Sequence, residues 1–153
     1  MKACPFCAAF KGEGRTPVIY KDTQFICVLD LNPINPGHVL VIPSIHEPSF
    51  TKLPDQMVSR MMRIGKTLAQ ALKTSKLPCG GIDLILTDGE VAGQSIPHCH
   101  LHVVPRVDGD GFRFTHGPKP ATESITLEAA AGLLRASLEA QGLGPAESES
   151  GNG

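Results

Sequence analysis

Apolar positions follow two different periods along this chain, and the change between them marks out its elements. Val18-Ile19-Tyr20 and Phe25 to Asp30 are short runs of strand-forming residues joined by the polar turn Lys21-Asp22-Thr23. In the second run Phe25, Cys27 and Leu29 alternate with Ile26, Val28 and Asp30, so both faces stay apolar until Asp30 closes the strand at a rim. Asn32-Pro33-Ile34-Asn35-Pro36-Gly37 is a turn cluster, and His38-Val39-Leu40-Val41-Ile42-Pro43 after it reads as a central strand covered on both sides. From Pro54 to Lys73 the period lengthens. Met57, Met61, Ile64, Leu68 and Leu72 recur at three-to-four spacing, which predicts an amphipathic helix with Arg60, Arg63, Lys66 and Lys73 on solvated positions.

Short-period order then returns. Ile82 to Thr87 is another apolar strand, and the loop from Asp88 to Gly93 leads into a strictly alternating strand that begins at His98 and ends near Arg106. A second helix is expected from Leu127 to Gln141, with Thr126 as its N-cap and Leu127, Ala130, Leu134 and Leu138 on one stripe. Five strands linked mostly by turns, plus two helices, predict an α+β fold: an antiparallel five-stranded sheet with helices packed on one side. The expected organisation is one domain over residues 1–145 and a disordered small-polar tail over 146–153.

Composition narrows the classes. A chain of 153 residues supports one hydrophobic core. A net charge of −1 gives no broad field for nucleic acid or an anionic membrane, although a phosphate-bearing small ligand needs only local donors. No apolar run reaches the length of a membrane span, and Met1-Lys2-Ala3-Cys4-Pro5 is not a signal peptide. Five cysteines, an odd number, point to free thiols in a reducing, cytoplasmic setting.

The candidate chemistry lies in the alternating strand. His98, His100 and His102 share one face there, with Cys99, Leu101 and Val103 on the other. Gly93-Gln94-Ser95 just upstream offers small residues and backbone N–H groups as a cradle for an anion. Neutral imidazoles in a row can divide the labour of attack, orientation and ligand binding, and attack on phosphorus fits the Ser95 neighbourhood better than attack on a carbonyl. Cys4-x-x-Cys7 is by itself half a zinc site, a redox pair or a coincidence. A redox pair wants a helix N-terminus in a βαβ setting, for which Cys4 lies too near the start, and zinc needs two more nitrogen or sulfur ligands.

His98-Cys99-His100-Leu101-His102-Val103-Val104 resembles the motif of the histidine triad (HIT) family, with Cys99 a mild departure at an apolar position. The resemblance extends through Gly93-Gln94-Ser95 and Pro36-Gly37-His38-Val39-Leu40-Val41-Ile42-Pro43, covering about residues 1–106. It implies a HIT-like domain that forms a homodimer through the long helix and an edge strand. It also implies a nucleotide hydrolase or transferase acting at the α-phosphorus of purine nucleotides through a nucleotidyl-histidine. Dinucleoside polyphosphates and nucleoside phosphoramidates are the two substrate types. By the same resemblance His100 is the nucleophile, His102 and Ser95 contact the α-phosphate and leaving group beside Gly93 and Gln94, and His38 orients His100. Asp30 falls where relatives bind the ribose hydroxyls, and Thr87 where they carry an Asn or Gln at the phosphate. HIT proteins with an N-terminal cysteine pair complete a structural zinc site with two histidines, which here are His46 and His98. Cys27 and Cys79 then read as unligated and His116 as a surface residue. Two other readings compete: a nucleotide-binding regulatory module with incidental turnover, and a metalloenzyme with His98, His100 and His102 on one metal.

Overall fold

Clusters of β-branched and aromatic residues become β1 (Val18–Lys21), β2 (Phe25–Leu29), β3 (Val39–Pro43), β4 (Gly81–Leu86) and β5 (Leu101–Arg106). They form one sheet in the order β1-β2-β3-β5-β4, with every neighbouring pair antiparallel. The structure is a computed structural model that describes residues 4–113 and 125–143; His116 and the tail over 146–153 lie outside the described residues. Residues up to Phe112 make one compact unit and those from Arg113 a second. The second contains α3 (Leu127–Ala140), capped as expected by Thr126, whose hydroxyl accepts from the Ala129 N–H at 3.1 Å. Among the described residues no helix is long and apolar enough to cross a membrane.

The long helix, α2 (Asp55–Thr74), buries Met57, Met61, Gly65 and Leu72. These pack on the sheet face that carries Phe25, Cys27, Val39, Val41, Cys99, Leu101 and Val103. The opposite face presents Ile26, Val28, Leu40 and Ile42, and Phe6 and Ala9 of a short helix, α1 (Pro5–Phe10), pack against it. Helices therefore lie on both faces of the sheet, where the sequence led us to expect them on one. Six residues are too few to display a helical period, and the only local sign of α1 is Pro5 at its first turn.

The histidine stretch also differs in detail from the expected strand. Its ladder begins at Leu101, so His98 and His100 precede it. The register pairs Leu40 with His102 and Val41 with Leu101. Continued outward it would set Cys99 against Pro43, which has no N–H to give. The Pro43 carbonyl instead accepts the His98 Nε2–H at 2.9 Å, and the Cys99 N–H turns to the Glu47 carbonyl at 2.7 Å. The two-faced alternation survives this change, since Cys99, Leu101 and Val103 all join the α2-side core.

Gly65 is the point of closest approach between α2 and β5. A Cβ there would stand 2.9 Å from Leu101 Cδ2, a methyl that is itself packed in the core. Alanine would gain up to about 1 kcal/mol of helix propensity against a shift of that methyl. Gly65→Val adds branched bulk without that gain and is expected to cost about 1–3 kcal/mol by overpacking. Urea unfolding should show a lower midpoint with an unchanged slope; an unchanged midpoint would contradict the close packing.

The far end of β5 is pinned as firmly as its start. Arg106 forks onto Asp110 (Nε to Oδ2 2.7 Å, Nη2 to Oδ1 2.6 Å) and reaches Asp83 Oδ2 through Nη1 at 2.5 Å. Asn35 donates to the Pro105 carbonyl at 2.9 Å and to Asp110 at 2.8 Å. The Arg106 guanidinium holds the Asp110 carboxyl well below the usual range, and the two carboxylates hold Arg106 firmly charged.

Candidate active site and metal centre

The turn between β2 and β3 sets the first part of the site. The Asp30 N–H donates to the His38 carbonyl at 2.9 Å, closing the turn so that the Asp30 and His38 side chains meet at its mouth. The Ile34 N–H donates to His38 Nδ1 at 3.2 Å, which leaves the His38 proton on Nε2. That proton is donated to His102 Nδ1 at 2.9 Å, so the proton of neutral His102 is on its own Nε2. Asp30 Oδ2 lies 3.6 Å from His38 Nε2 and 3.9 Å from His102 Nδ1, close enough to act through its charge. The three ligand atoms lie within metal-binding reach of one another. However, the Ile34 N–H keeps a proton on the His38 atom that a metal would need, so the trio is built to fix tautomers.

His100 is set separately. Its Nδ1–H donates to the His98 carbonyl at 2.7 Å, so Nε2 carries the free lone pair, and no protein group bonds it among the described residues. This differs from the expectation that His38 orients His100. The rings of His100 and His102 stand 4.7 Å apart, and both line a cavity of about 380 Å³. That volume falls in the range of small-molecule sites. Asp30, Leu31, Asn32, Ser95 and Ile96 line the same cavity. So do four α1 residues, Pro5, Phe6, Ala8 and Ala9, and the following loop from Glu13 to Thr16.

Burial keeps these imidazoles neutral at neutral pH. His102 is pushed down to about 4, by desolvation first and then by His100 and His38, against the opposing charge of Asp30. His38 is lowered by burial as well, again opposed by Asp30. For His102 the folded value lies below the ordinary 6.5, so the unfolded chain binds more protons in acid. The stabilising contribution is therefore complete above about pH 6.5 and is lost as pH falls toward 4. Melting temperatures should decline across that window, and His102→Gln should flatten part of the decline. An equal slope in the variant would refute the linkage.

The four cysteine and histidine residues singled out in the sequence do converge. Ligand atoms of Cys4, Cys7, His46 and His98 all lie within 4.8 Å of one another. Cys4 Sγ is 3.4 Å from His98 Nδ1, Cys7 Sγ is 3.7 Å from the same nitrogen, and Cys7 Sγ is 3.3 Å from His46 Nδ1. Sulfur–nitrogen edges of a tetrahedral zinc site with ordinary bond lengths are about 3.6 Å, so the separations fit. The tautomer fits too. His98 donates Nε2–H to the Pro43 carbonyl and so aims a bare Nδ1 at the thiols, and burial keeps the ring neutral. With His98 facing the cysteines and His102 facing His38, the three histidines of the triad do not converge on one metal.

Other expected residues have different surroundings. The Gln94 amide is occupied within the protein: Oε1 accepts from the Gly89 N–H and Nε2 donates to the Pro48 carbonyl, both at 2.8 Å. It braces the loop that carries Ser95. Gly93 turns that loop with φ +90°, a left-handed value suited to glycine. Neither residue lines the cavity, and nor does Thr87. Three contributors had no signal in the sequence. Phe6 packs edge-on to His100 at 4.9 Å, the Ile34 N–H sets the His38 tautomer, and the 13–16 loop walls the cavity. A backbone donor and a lone aromatic carry no spacing that could have marked them.

Comparison with known proteins gives a consistent picture. A family model described as HIT domain matches residues 11–109. An uncharacterized HIT-like protein of Methanocaldococcus jannaschii is 38% identical over 108 residues, covering 71% of this chain and 82% of that relative. A relative from Arabidopsis thaliana named adenylylsulfatase is 33% identical over 107 residues, covering 70% of this chain and 54% of that protein. Among solved structures, a zinc-bound histidine triad family protein from Mycobacterium smegmatis matches with a TM-score of 0.69 at 36% identity, covering 92% of this chain and 96% of that one. A histidine triad nucleotide-binding protein from Candida albicans matches with a TM-score of 0.72 at 28% identity, covering 91% and 96%.

Proposed function

Because the chain belongs to the HIT family, we propose that it is a nucleotide hydrolase or transferase acting at the α-phosphorus of purine nucleotides. Dinucleoside polyphosphates and nucleoside phosphoramidates are the substrates proposed. The observation that carries this reading is the His100 tautomer: with Nδ1–H held on the His98 carbonyl, Nε2 offers its lone pair beside a cavity of nucleotide size. The name of the Arabidopsis thaliana relative, an adenylylsulfatase, also supports chemistry on an adenylyl group.

In the first step of the proposed reaction, His100 Nε2 attacks the α-phosphorus, a nitrogen–phosphorus bond forms and the bond to the leaving group breaks. The His102 Nε2–H donates a hydrogen bond to a phosphoryl oxygen as charge moves onto it, its orientation fixed by the bond from His38. In the second step water attacks phosphorus and its proton passes to solvent, the electron pair of the nitrogen–phosphorus bond returns to Nε2, and nucleoside monophosphate leaves with His100 restored. Ser95 serves the phosphate and Asp30 the ribose hydroxyls, both from the cavity wall. Gln94 contributes through the loop it braces. Cys4, Cys7, His46 and His98 would hold zinc, which supplies a structural cross-link and takes no part in either bond change. Homodimerisation through α2 and an edge strand, and a reducing cytoplasmic setting for the thiols, complete the proposal.

The test is incubation with diadenosine polyphosphates and with an adenosine phosphoramidate, followed by analysis for nucleoside monophosphate and for a nucleotidyl adduct on His100. Absence of turnover together with absence of nucleotide binding would overturn the reading.

A further inference from the structure

We infer that occupancy of the Cys4/Cys7/His46/His98 cluster controls the nucleotide cavity through α1, with Phe6 as a positioning residue for His100. The inference rests on the function proposed above. Phe6 lies between the two cysteine ligands, and its ring stands edge-on to His98 at 5.7 Å and to His100 at 4.9 Å. The same helix supplies Pro5, Phe6, Ala8 and Ala9 to the cavity wall. The following loop is docked on it closely: a Cβ on Gly14 would stand 3.1 Å from both Cα and Cβ of Ala9. Residues 13–16 are thus packed on α1, and both line the cavity.

A helix of six residues cannot hold itself, because nucleation costs more than its few hydrogen bonds return. Three anchors hold it here: the side chains of Phe6 and Ala9 on the sheet, the Lys21 ammonium on the Phe10 carbonyl at 2.5 Å, and the cluster at its first turn. The α2-side core is a separate group of residues on the other face of the sheet. Release of the cluster thus loosens the cavity wall and the support of His100 while α2 and the sheet stay packed. The metal-binding end of the chain becomes a control on nucleotide affinity.

The experiment is a two-by-two comparison on the full chain: zinc-loaded against chelator-treated, wild type against Phe6→Ala. Affinity for a nucleoside monophosphate is read by calorimetry and fold by circular dichroism. Chelation and Phe6→Ala should each weaken binding about tenfold, and chelation should add less than about threefold in Phe6→Ala, because both act through one contact. Phe6→Leu, which fills most of the same volume without a ring edge, should stay weakened about tenfold, whereas a role confined to packing volume requires affinity near wild type. Unfolding of chelated wild type at the assay temperature would also overturn the inference, because release of the cluster is expected to leave α2 and the sheet packed. Wild-type affinity in zinc-loaded Phe6→Ala, or independent multiplication of the two effects, overturns the inference. Failure of wild-type protein to bind any nucleotide would count against the proposed function instead.

Discussion

Replacing His100 with alanine is expected to reduce turnover of a diadenosine polyphosphate by roughly six orders of magnitude, the scale seen when a covalent nucleophile is removed. Nucleotide binding should change far less, because Asp30, Ser95 and His102 remain on the cavity wall. The same variant separates an enzyme from a regulatory binding module. A protein that works by binding keeps its biological effect without the nucleophile, whereas one that works by turnover loses both together. Single-turnover assays with wild type should reveal the nucleotidyl adduct, and His100→Ala should form none. Residual activity within tenfold of wild type would remove His100 from the mechanism.

Chelation of the metal centre has the second largest expected effect. A ligand at a free concentration a hundredfold above its dissociation constant stabilises the folded state by about 2.7 kcal/mol. For a chain of this size that corresponds to a fall in melting temperature of about 5–11 °C when the metal is withdrawn. Differential scanning fluorimetry with and without chelator measures it, and metal analysis should return one zinc per chain before treatment. Added zinc should restore the loss in wild type and have no effect in Cys4→Ala or Cys7→Ala. A melting curve indifferent to chelator in a zinc-replete sample would show that the four side chains converge without holding a metal.

The core of the fold was legible because it obeys simple periods. The alternation in β2 and β3 and the three-to-four spacing of Met57, Met61, Ile64, Leu68 and Leu72 each mark a buried face. The histidine face was legible for the same reason, and the convergence of His46 and His98 on the cysteines came from the resemblance. The rest depends on contacts that spacing does not encode. That His38 has its proton on Nε2, where it reaches His102, is set by the turn that brings the Ile34 N–H to its Nδ1. The start of β5 is set by a missing proton on Pro43, three strands away in sequence order from the helix that completes the site. Gln94 faced either the ligand or its own loop, and only the positions of Gly89 and Pro48 distinguish these.

The pinning of β5 at both ends carries a consequence for selectivity. Its beginning is tied to Pro43 and Glu47, and its end to Asn35, Asp83 and Asp110. The two imidazoles between these ties have little freedom to follow an incoming ligand. Reorganisation on the way to the transition state then falls on the phosphate and its substituents. In such a site, a poor departing group gains nothing from induced adjustment of the strand. Rates across a substrate series would fall as the basicity of the departing group rises, and the protein would discriminate chiefly through what the cavity admits.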